Sequence, residues 1–106
     1  MLIRSDVDDL QLVERVINAY ESGEAGKEVK DAENELSNYL VDGWCERYVT
    51  RITDGVPEKA RILAYQSAGQ IALGERKKVL PFLYKLRGKM GTDGRSLTVE
   101  EMALRN

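Results

Sequence analysis

Apolar residues recur at spacings of three and four through almost the whole chain, and a glycine stands at nearly every break in that rhythm. The repeating unit is therefore a helix, whose face returns about every 3.6 residues, whereas a half-buried strand alternates at every second residue. The first segment is the clearest. Ser5 is placed as an N-cap, and Asp6, Asp8 and Asp9 put negative charge on the first turn, where the helix dipole favours it. Val7, Leu10, Val13, Val16, Ile17 and Tyr20 follow on one face, and Gly23 ends a helix over 5–22.

Val29, Ala32, Leu36, Tyr39 and Leu40 repeat the period, with Lys27, Glu28, Lys30, Asp31, Glu33 and Glu35 reading as the outward face. Asp42-Gly43 interrupts it, and Val41, Trp44, Cys45, Tyr48 and Ile52 resume it. The stretch 44–53 is rich in aromatic and β-branched residues, which suit a strand. A strand there has no partner elsewhere in the chain, and an unpaired strand is unstable. Helix is favoured, as a kinked continuation of the second helix.

Pro57 opens the next segment in the position that proline prefers. The helix over 57–73 carries two apolar stripes: Ala60, Leu63, Ala64, Ser67, Ala68 and Ile71 on one side, Ile62, Tyr65, Gly69 and Leu73 on another. A helix apolar on two sides is central in its fold or shared with a second molecule. After Gly74, a helix over 76–88 presents Val79, Phe82, Leu83, Leu86 and Met90, with Pro81 near its first turns. Gly91-Thr92-Asp93-Gly94 reads as a turn. Thr98 with Glu101 then forms a capping box, and Leu97 with Met102 a hydrophobic staple, for a short terminal helix over 99–104. The sum is one all-α domain over 1–106, a compact bundle or orthogonal array of four to five short helices.

Chemistry is limited by what is missing. The chain has no histidine and one cysteine, which removes the usual general base, imidazole metal ligands, a cysteine–histidine pair and any intramolecular disulfide. No phosphate-binding glycine loop, nucleophile elbow or cysteine metal motif is present, so no cofactor, metal or catalytic residue is expected. Asp93 to Glu101 places few of the oxygens that a calcium loop needs, and Arg95 falls where a ligand belongs. Glu24, Glu28, Asp31 and Glu35 share a helical side, but Lys27 and Lys30 make it a solvated, salt-bridged one. Cys45 reads as a small core hydrophobe. The acidic N-terminus lacks a signal-peptide core and no run suits a membrane span, so a cytoplasmic setting is expected.

Charge is uneven along the chain. Residues 1–53 hold 6 Lys/Arg against 12 Asp/Glu, and residues 54–106 hold 10 against 6. Arg76, Lys77, Lys78, Lys85, Arg87 and Lys89, with Tyr84 among them, mark the helix over 76–89 as a surface for a phosphate backbone or an acidic partner. A helix-turn-helix over 57–90 is disfavoured because Pro81 would fall within its recognition helix. The reading that follows is a non-enzymatic helical protein–protein interaction module: an adaptor, inhibitor or regulatory subunit. It includes self-association as a homodimer through Ala60, Ala64, Ala68, Ile62, Tyr65 and Leu73. The alternative is a nucleic-acid-associated protein that uses the basic helix.

Overall fold

Three helices stop by the same device, and those stops set the layout. In a computed structural model that describes residues 6–43 and 45–93, Gly23 (φ 74°), Asp54 (φ 59°) and Gly74 (φ 75°) take the left-handed conformation past a helix end. The next amide in each case donates back into the last turn: Glu24 to the Ala19 carbonyl at 2.9 Å, Gly55 to Thr50 at 2.8 Å and Glu75 to Gln70 at 3.0 Å. Asp54 tolerates this conformation because its short polar side chain lacks a branched β-carbon.

The stops separate α1 (Asp6–Ser22), α2 (Lys27–Val41), α3 (Glu46–Ile52), α4 (Pro57–Ala72) and α5 (Arg76–Asp93), with no strand among the described residues. The all-α expectation holds, and 46–52 is helical. It is a separate helix, however, not a kinked continuation of α2: Asp42 caps α2 and Gly43 follows at φ 82°. α5 runs beyond 88, and Gly91 to Asp93 belong to it instead of forming a turn. Pro81 lies inside α5 on its exposed side, where it withholds one N–H without ending the helix. The Ser5 cap, Trp44, and the terminal helix with Leu97, Thr98, Glu101 and Met102 lie outside the described residues.

α1 packs on α2, α2 on α4, α4 on α5, and α5 back on α1, closing a ring of four helices; α3 lies against α4 and α5. Val13 and Ile17 from α1, Leu36 and Leu40 from α2, Tyr48 and Val49 from α3, and Leu83 and Leu86 from α5 are fully buried in the middle. The α4 side of this core is built from Ala60, Ala64, Ser67, Ala68 and Ile71, all buried. The small size of the three alanines and Ser67 lets the α2 and α4 backbones approach closely, while the bulk comes from Ile71 and the facing helices. None of the described helices is long and apolar enough to cross a membrane.

Glu33 departs from the outward face expected of it. It is buried and accepts a 2.6 Å hydrogen bond from the Tyr20 hydroxyl, across the α1–α2 seam. Burial first, and then this carboxylate, push the Tyr20 phenol well above its ordinary ionisation range. The arrangement satisfies both polar groups within an otherwise apolar contact. Val41 departs in the opposite sense. It lies at the last residue of α2 and is exposed instead of continuing the apolar face.

Candidate interaction surface

The two stripes of α4 have different fates. Ala60, Ala64 and Ala68 are inside the ring, so the small-residue stripe expected to serve self-association is occupied by the protein's own core. Ile62, Tyr65 and Leu73 are on the outside, exposed by 66, 51 and 77 %. Gly69 lies between Tyr65 and Leu73 in the same row and is also exposed. A β-carbon built at Gly69 would meet nothing within 4 Å. The row is therefore a ridge of large apolar side chains with a notch in its middle.

Beside the ridge, where the end of α2 and the start of α3 approach α4, is a hollow of about 230 Å³. Leu40, Cys45, Val49, Ala60 and Ala64 line it together with Val41, Arg61 and Tyr65, and Asp42 and Glu46 add charge. Val41, at 44 % exposure, extends the apolar surface from the ridge across this hollow. The hollow also distinguishes two alanines of the buried stripe. Ala68→Leu, at a residue that does not line this hollow, should lower stability by about 1–3 kcal/mol through overpacking. Ala64→Leu should cost less than half as much, because its added carbons can enter the hollow. Urea denaturation of both variants checks the difference.

The basic set on α5 divides. Arg76 donates to the Glu24 carbonyl at 2.8 Å and stacks its guanidinium 4.7 Å from the centre of the Tyr20 ring. The Tyr84 hydroxyl donates to Glu21 at 2.6 Å, and Arg87 sits 5.3 Å over the Tyr84 ring. The hydrogen bond to Glu21 raises the Tyr84 ionisation above its ordinary value. Arg76 and Tyr84 tie α5 to the end of α1, while Arg87 stacks on a neighbour of its own helix. Lys78 pairs with Glu75 at 3.2 Å. Lys85 and Lys89 line an open groove of about 490 Å³ with Gly88 and two α3 residues, Arg51 and Ile52. Lys77 is exposed in the first turn of α5. The seven residues therefore do not form one continuous surface.

The acidic residues also separate. Glu28, Asp31 and Glu35 line a hollow of about 510 Å³ along the α1–α2 seam with Asp8 and Arg15, and Arg15 lies 3.4 Å from Glu28. Glu24 precedes α2 and offers its carbonyl to Arg76 instead. Among the described residues no group of three or more acidic or cysteine side chains is arranged to hold a metal ion.

Sequence reasoning missed the part α3 plays in the basic groove, because the approach of Arg51 to Lys85 depends on how α3 docks. The burial of Glu33 did leave a signal. It lies four residues after Val29 and three before Leu36, within the apolar arc of α2. Comparison of the chain with family models, with curated proteins and with solved structures finds no match.

Proposed function

We propose that this chain is a non-enzymatic protein–protein interaction module, acting as an adaptor, inhibitor or regulatory subunit through the outer face of α4. The observation that carries this reading is the ridge itself: Ile62, Tyr65 and Leu73 exposed together on one helix, continued by Val41. Single exposed apolar residues are ordinary, but three large ones aligned along one helix face have a hydration cost that a bound partner would remove. A tyrosine between two aliphatic anchors also matches the residue types that dominate binding energy at interfaces. A cytoplasmic setting accords with a lone thiol held inside the core.

A photo-crosslinking residue placed at position 62 or 73, in the cells that make the protein, should capture a protein. The same residue at position 31, on the acidic α1–α2 side, should capture none. Ile62→Glu and Leu73→Glu should abolish the contact while changing stability by no more than about 0.5 kcal/mol, since both sites are exposed. Absence of adducts from both α4 positions overturns the reading. The second reading, phosphate-backbone binding, is favoured by the groove that brings Arg51, Lys85 and Lys89 together. It requires salt-sensitive oligonucleotide binding that Lys85→Gln weakens.

A further inference from the structure

The occupant of the α4 face can be named from its own pattern, and this step rests on the reading of that face as an interaction surface. We infer that the partner is a second copy of this chain, laid antiparallel along α4 about a two-fold axis through the middle of the helix.

Charge is the first argument. Glu58 lies in the first turn of α4, and Lys77 lies in the first turn of α5, just past the end of α4. Both are exposed, and neither forms an ion pair with a described residue. An antiparallel copy brings each Glu58 toward the other copy's Lys77, forming two pairs at once. A parallel copy would set like charges together. Antiparallel pairing also opposes the two helix dipoles.

Shape is the second argument. The row runs Ile62, Tyr65, Gly69, Leu73, and its inversion sets Leu73 of each copy against Ile62 of the other. The same inversion sets the Tyr65 ring over Gly69 of the other copy. Glycine within a helix is less favourable than alanine, and no described residue comes within 4 Å of a β-carbon built at Gly69. Close approach of a bulky ring from a second copy gives that glycine a use. Because the contact is two-fold and self-complementary, it closes as a dimer and does not propagate into a fibre.

Light scattering on the full chain across a concentration series tests this. The mass should rise from 12.0 kDa toward twice that value. Leu73→Asp should hold the protein at the monomer mass with an unchanged circular dichroism spectrum. Glu58→Lys and Lys77→Glu should each weaken the dimer by about 3–10-fold at low salt, and the double exchange should restore it. Rescue by the double exchange is an outcome that a general loss of folding cannot produce. A monomer at every concentration, a dimer indifferent to Leu73→Asp, or failure of the double exchange overturns the inference. A monomer whose position 62 crosslinks to a different protein removes the second copy but keeps the α4 interaction face. Crosslinks from position 62 to residues 94–106 of the same chain would show the face covered from within. Absence of any crosslink removes both readings.

Discussion

Leu36→Ala should lower the free energy of unfolding by about 2–5 kcal/mol, a large part of the roughly 5–15 kcal/mol that holds a domain of this size together. Leu36 is completely buried on α2, within the core that α1 and α4 also enter. The facing α4 surface is built largely from alanine, whose side chains cannot swing into a void. Collapse would require the helices themselves to move together, and Gly23–Gly26 and the α3 segment tie α2 at both ends. The cavity should therefore persist, placing the loss toward the upper part of the range. Urea denaturation should show a lower midpoint at an unchanged slope. A loss under 1 kcal/mol would mean that α2 and α4 can close on each other, and the close-packing account would fall.

Cys45 should be almost inert to alkylation in the folded protein at pH 8, by about a thousandfold relative to the unfolded chain from ionisation alone. Only 1 % of the residue is exposed. Burial, reinforced by Asp9 and Glu46, pushes the thiol up to about 12 from an ordinary value of 9.0. The folded state thus holds this proton more tightly than the unfolded state does. Its contribution to stability is intact below about pH 9 and declines as pH rises from there toward about 12. Tyr20 acts in the same direction from about pH 10 upward. Stability should be level near neutrality and fall in alkali, by up to about 1.4 kcal/mol per pH unit for each group. Cys45→Ala should make the early part of that fall shallower. Rapid labelling of the native protein would instead show that reagents reach the thiol through the adjoining hollow.

Helix positions were legible in the sequence wherever the apolar period was uninterrupted, as on α1 and α5. The glycines at 23 and 74 marked helix ends for a reason local to the backbone. Gly91 misled because glycine permits a turn without requiring one, and α5 continues through it while Met90 remains buried in the core. The two sides of α4 were both visible as apolar stripes. Which one faces the core depends on where α2 and α5 dock, and no spacing within α4 encodes that. The basic helix shows the same limit. Arg76 and Tyr84 read as free groups until the fold brings Tyr20, Glu21 and Glu24 across from the end of α1. Charge counts describe segments, whereas a site depends on which segments meet.

The contact of α1 with α5 bears on how the protein is made. During synthesis α1, α2, α3 and α4 emerge from the ribosome before the helix that closes their ring. Until α5 arrives, the part of α1 that it will cover has no partner, and Tyr20 lacks the guanidinium that later stacks on it. The nascent chain therefore passes through a stage with an open apolar seam and the outer α4 ridge both available to neighbours on the same message. Completion of α5 seals the seam, and the α4 ridge stays exposed. On the proposed two-fold pairing, a copy that finishes early would meet the next one through that ridge.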